Sequence, residues 1–177
     1  AAEIWTLAGS VNLILYIPLI WLLPSLANGR RSLWFYEQQE GVPPYSPHVW
    51  ATLAIIGLVV LGLALTWVSC LPDFALLRDH ATGWRKKWGK KLALGWIGTT
   101  AQWNWQYHRM GLLGAFYFMM LVFVHFFISV EFLMVHVPGW IDSLYPITHA
   151  HNALQGGVAT VMVTMFCLRQ FGGYKEQ

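Results

Sequence analysis

Four long apolar stretches, Ile4 to Ala27, Val49 to Leu71, Gly111 to Val135 and Pro146 to Leu168, alternate with more polar segments along the 177 residues of the chain. The hydrocarbon core of a bilayer is about 30 Å thick and takes roughly 20 apolar residues to cross as a helix, a length each stretch reaches. Backbone polar groups cannot face lipid unpaired, so helices rather than strands are expected. The pattern predicts an all-α membrane protein, four transmembrane helices in an up-down bundle that occupies residues 1–177 as one domain, with a long loop over 72–110.

Composition points to the same solvent. Hydrophobic residues make up 56% of the chain and charged ones only 11%, there are eleven tryptophans, and mean hydropathy is +0.48, which excludes an ordinary water-soluble domain. The first stretch carries Glu3 at its head, has no basic segment before it and outruns the apolar core of a signal peptide, so it is read as a retained helix.

Charge sets the expected orientation. The loop 72–110 holds Arg78, Arg85, Lys86, Lys87, Lys90, Lys91 and Arg109, and Arg169 and Lys175 lie at the C-terminus, against only Arg30 and Arg31 on the other side. By the positive-inside rule the long loop and both termini are cytoplasmic, and loops 28–48 and 136–145 are on the outer face. The run WRKKWGKK invites a nucleic-acid or a specific-lipid reading. Basic residues beside tryptophan at a membrane surface more commonly anchor to anionic headgroups, so membrane lipid is expected as a partner and nucleic acid is not. The following GWIGTTAQWNWQYHRM is aromatic enough to lie in the interface without forming a domain. No phosphate-binding glycine motif occurs. Cys70 and Cys167 lack the spacing of a zinc or iron–sulfur site, so no metal ligands are assigned.

The candidate chemistry lies where the apolar pattern is broken. In VHFFISVEFLMVHVPGW, residues 124–140, His125 is near the middle of the third stretch and Glu131 six residues on, nearer its outer end. On a regular α-helix they differ by about 9 Å in depth and about 120° in direction. An ionised carboxylate within a bilayer is costly unless paired, hydrated or protonated, so Glu131 is expected to face the bundle interior as a proton acceptor. The fourth stretch opens PITHAHNALQGG, with Thr148, His151, Asn152 and Gln155 on one helical face and His149 beside it. Those side chains form either a polar pocket or hydrogen bonds that hold helices together.

These residues also carry a resemblance. A His, an acidic residue six positions later followed by Phe, and Pro-Gly-Trp seven after the acid (His125, Glu131, Phe132, Pro138 to Trp140) resemble the NrfD-like, polysulfide reductase type membrane subunits, and among them most the ActC-type subunit of bacterial alternative complex III. LPDFALLRDHATG at 71–83, SPHVW at 46–50, AEIWTLA near the start and Gly-Arg at 29–30 fit the same pattern in order. The chain departs from it at Ala27, Tyr45, Ala51 and Ile141, where the family usually has His, Arg, Asp and His, which puts proton translocation in doubt more than quinol contact. Family members are larger, and the chain would correspond to an internal four-helix portion.

The resemblance implies a multi-pass subunit of the bacterial inner membrane, part of a respiratory or photosynthetic complex. It would exchange electrons and protons between a quinol (menaquinol or ubiquinol) and an iron–sulfur cluster in a partner subunit on the outer face, beside other membrane subunits, with no haem or metal of its own. In that frame Glu131, His149 and His151 accept protons, Trp140 and Tyr145 wall the quinol ring, and His125 relays a proton or holds Glu131. Two other classes stay open. One is a haem-b membrane anchor, which needs two histidines facing each other at one depth, a requirement that His125 and His151 do not meet. The other is a purely structural or assembly subunit.

Overall fold

The computed structural model describes residues 2–26, 47–134 and 140–172, apart from the side chains of residues 2, 3, 23–26, 47 and 131. Loop 28–46, residues 135–139 and the C-terminal tail, with Arg30, Arg31, Pro138 and Lys175, lie outside the described residues. The described residues form helices and no strand: α1 (Ala2–Leu26), α2 (Pro47–Ser69), α3 (Leu71–His80), α4 (Gly83–Leu92), α5 (Thr100–Phe127), a π-helical turn (Ile128–Leu133) and α6 (Tyr145–Phe171). Three segments among them are long and apolar enough to cross a membrane, Ile4–Leu22, His48–Ser69 and Thr100–Val130, as in a multi-pass membrane protein. Helix α6 has the length, but His149, His151, Asn152 and Gln155 interrupt its apolar surface and it is not one of the three.

Two compact units divide the chain. The first comprises residues 1–59 and 119–177. Buried side chains recur along α2 at His48, Ala51, Ala54, Ile55 and Leu58, the three-to-four-residue spacing of one helical face, while Trp50, Leu53, Ile56 and Val60 point away and are exposed. Ile20 of α1, Val124 of α5, Phe132 of the π-turn and Ala150 of α6 are buried as well. Two indole–hydroxyl bonds tie the helices. Trp21 Nε1 donates to Thr52 Oγ1 at 3.1 Å between α1 and α2, and Trp5 Nε1 donates to Thr164 Oγ1 at 3.0 Å between α1 and α6. Such interhelical bonds are worth about 0.6 to 2 kcal/mol in an apolar solvent.

The second unit is residues 60–118. Here the segment expected as a long loop over 72–110 contains two short helices and the start of α5. Helix α2 stops at Ser69, Pro72 sits in the first turn of α3, and the chain reverses through Gly83, whose φ of +64° is a left-handed conformation suited to glycine. Helices α3 and α4 then pack over a small core of Leu71, Ala75, Ala93 and Trp96, with Phe74 against it. Their approach depends on Gly89, because a Cβ there would lie 2.7 Å from the Arg78 backbone nitrogen and 3.0 Å from the Phe74 carbonyl oxygen. Arg78 closes the hairpin by donating from Nη1 to the Trp96 carbonyl at 2.8 Å and gripping Asp79 through Nε and Nη2 at 2.7 and 2.8 Å. That hydrogen bond holds the Asp79 carboxyl below the usual carboxylate range. The pair's contribution is therefore complete above the ordinary Asp value of about 4 and fades as pH falls through the lowered one; exposure to water keeps it small.

Helix α5 begins eleven residues before the expected Gly111. A capping box starts it: Thr99 Oγ1 accepts from the Gln102 amide at 3.3 Å, and Gln102 Oε1 accepts from the amides of Ile97, Gly98 and Thr99 at 2.9, 2.9 and 3.4 Å. The aromatic segment is thus the first turns of a helix. Gln106, buried there, donates to the Val68 carbonyl.

Replacing Gly89 by Val should wedge α3 from α4 at a cost of about 1–3 kcal/mol, as overpacking does. Tryptic cleavage between Arg85 and Lys91 in the reconstituted protein should accelerate about tenfold. Unchanged cleavage would show that the close approach does not hold the hairpin.

Candidate functional site

The site is built where α5 passes into the π-turn and α6 begins. Asp142 organises the start of α6, its Oδ1 accepting from the amides of Leu144 at 2.9 Å and Tyr145 at 3.2 Å, a carboxylate at the positive end of a helix. Pro146 follows in the first turn. This placement stacks a run of rings. Trp140 and Tyr145 have centroids 4.8 Å apart, Tyr145 and His149 6.0 Å, and His149 and His125 5.0 Å.

At the inner end of that run, His125 Nδ1 and His149 Nδ1 are 3.1 Å apart. Both rings are half-buried. One nitrogen must donate and the other accept, so the neutral pair holds a single proton between the rings and the two tautomers are linked. A proton taken up at the outer Nε2 of one ring can be matched by release from the Nε2 of the other, after the shared proton has crossed. The geometry is that of two imidazoles joined by one hydrogen bond.

The π-turn adjoins it. A single i→i+5 turn inserts one residue, so positions beyond it are rotated by about 100° from where a regular α-helix would put them. The sequence-based angle of about 120° between His125 and Glu131 assumed an unbroken α-helix, whereas Glu131 lies within the π-turn. Such a turn also disturbs the carbonyl ladder, and Ser129, fully buried, donates its hydroxyl to the carbonyls of His125 at 2.5 Å and Phe126 at 3.0 Å. Glu131 occupies the turn; its side chain lies outside the described residues. Its neighbour Phe132 is buried in an aromatic nest, 6.3 Å from Tyr16 and 6.2 Å from His48 by ring centroids, with Trp21 5.5 Å from His48.

The structure therefore brings together His125, His149, Tyr145 and Trp140. It does not bring His151 to them: His151, Thr148, Asn152 and Gln155 share the exposed face of α6, while His149 points inward. The expected stripe is present, and the histidine beside it, rather than on it, makes the contact. Sequence reasoning also passed over His48, buried to 1% at the start of α2, and Ser129. A histidine after Ser-Pro at a helix start was a visible signal; nothing local announced Ser129.

The pair meets the depth requirement of the haem-anchor reading in a way His125 and His151 do not. Its geometry does not suit axial ligation through the facing nitrogens. Metal–imidazole bonds run about 2 Å, so two axial nitrogens stand about 4 Å apart, and 3.1 Å is a hydrogen-bond distance. Among the described residues no three His, Cys, Asp or Glu side chains gather as a metal site.

Removing one ring should orphan the other in apolar surroundings, whereas removing both should cost less than the sum. His125→Phe and His149→Phe should each destabilise the protein in detergent by about 1–3 kcal/mol, with a coupling of at least about 0.5 kcal/mol in the double variant. Strict additivity in reversible unfolding would mean that the rings do not share a proton. Compared with known proteins, the chain matches no family model and no curated protein, so its chemistry rests on these residues.

Proposed function

We propose that the chain is the quinol-handling membrane subunit of a multi-subunit electron-transfer complex in a bacterial inner membrane. In this reading α1, α2, α5 and α6 cross the membrane as an up-down bundle with both termini cytoplasmic. The observation that carries it is the hydrogen-bonded His125–His149 pair, flanked on one side by the π-turn that holds Glu131 and on the other by the rings of Tyr145 and Trp140.

Oxidation of a quinol releases two electrons and two protons. The protons need acceptors beside the hydroxyls, and the ring needs an apolar, aromatic wall. His149 takes the first proton and shares it with His125. Glu131, in a turn close to the outer end of its helix, takes the second and returns it to water. Tyr145 and Trp140 wall the ring. His151, on the outward face of α6, lies beside the docking partner rather than in the pair. The electrons pass to an iron–sulfur cluster in that partner on the outer face, and the chain supplies no haem or metal. The resemblance to NrfD-like subunits supports the same assignment residue by residue at His125, Glu131 and Pro138 to Trp140.

Glu131→Gln keeps shape and hydrogen bonding and removes the titratable group, so quinol oxidation by the assembled complex should fall about 10²-fold. Glu131→Asp should retain activity, because Asp is the acid of the resembling family. A wild-type rate for Glu131→Gln across pH 6 to 9 would remove Glu131 from the mechanism. For topology, Lys86 should react with an impermeant amine reagent only from the cytoplasmic side of sealed cells, and Ser143→Cys with a thiol reagent only from outside. The reverse labelling would move the site to the wrong face.

A further inference from the structure

We infer that the α3–α4 hairpin is a binding site for anionic phospholipid headgroups, presented on the face formed by Trp84, Lys87, Trp88 and Lys91. From sequence the basic run reads as a loose anchor. The packed hairpin makes it a shaped surface. Trp84, Lys87, Trp88 and Lys91 recur at i, i+3, i+4 and i+7, on the side of α4 turned away from Gly89, the one buried residue of the helix and its contact with α3. The two indoles are 68% and 52% exposed. Lys91 Nζ lies 5.6 Å from the Trp88 ring and the Arg85 guanidinium 5.8 Å from the Trp84 ring, so cation and indole alternate along the surface. Lys86 and Lys90 extend the charge on one flank, and α4 contains no acidic residue. The nearby Asp79 is already neutralised by Arg78.

Position in the chain selects lipid over other polyanions. Helix α3 starts at Leu71, directly after the apolar span that ends at Ser69, and the next span starts at Thr100. The hairpin is thus tethered at both ends to a membrane surface. There, exposed tryptophan fits the boundary between headgroup and acyl chain, and clustered lysine fits the phosphate layer. Gly89 and the Arg78 contact to Trp96 hold the lysines in place, so the surface does not have to order a flexible loop in order to bind.

The test uses the full chain in phosphatidylcholine vesicles containing trace spin-labelled lipid, with the motionally restricted fraction read by electron paramagnetic resonance. Spin-labelled phosphatidylglycerol should associate about threefold or more over phosphatidylcholine. The ratio should fall toward one in 1 M salt, where the screening length is about 3 Å, and in K86Q/K87Q/K90Q/K91Q at low salt. The salt arm requires no variant, so a folding defect leaves the proposal falsifiable. A wild-type ratio of one at low salt, as expected if the hairpin docks an acidic soluble protein instead, would overturn it, as would a ratio that persists in the quadruple variant.

Discussion

An apolar solvent offers no hydrogen-bond partner, and that constraint organises the first unit of this protein. Every polar atom placed within a span must find its complement on the same helix or on another. Trp21 finds Thr52, Trp5 finds Thr164, Ser129 finds the carbonyls behind it, and His125 finds His149. Only the Ser129 bond is local. The others are made between helices, so the polar residues are also what joins one helix to another, and each join lies at a definite depth. Apolar packing in lipid distinguishes poorly between helix faces, because a lipid chain is as good a neighbour as a leucine.

The π-turn is the second consequence of that constraint. Extra backbone width in a helix exposes carbonyls, which is tolerable in hydrocarbon only where a donor covers them. Ser129 is that donor. The disturbance falls between the histidine pair and the aromatic nest of Tyr16, Trp21, His48 and Phe132, with Glu131 in the turn itself. On the quinol reading, the acidic residue is held in a π-turn next to a two-imidazole proton couple. A proton-handling site of that kind needs its groups in fixed register, and the ring packing around Phe132 contributes to it.

The second unit obeys a different rule. Outside its spanning segments the polar groups have water available, so the hairpin and the start of α5 are shaped by close backbone approach at Gly89, by the capping box of Thr99 and Gln102, and by the Arg78 fork onto Asp79 and the Trp96 carbonyl. What these local devices achieve is the conversion of a basic, tryptophan-rich stretch into a surface with a defined outward face.

Much of this was legible in the residues. Length and apolarity located α1, α2 and α6 to within one to three residues at each end, because helix formation in a spanning segment is dictated by the backbone's need for internal hydrogen bonds. The start of α5 was written in Thr-x-x-Gln, a signal masked by the aromatic composition around it. Helix α4 was hidden because a run of lysines carries no apolar periodicity, and only the fit of Gly89 against Arg78 shows why α3 and α4 pair. At the site, the chain determined which chemistry was available: histidines, a carboxylate and aromatic rings near one end of the spans. Tertiary structure alone decided that His149 rather than His151 meets His125. Two residues along an α-helix differ by about 200° in direction, and which of the two faces a neighbour is set by the rotation of the whole helix, a degree of freedom that no local sequence signal records.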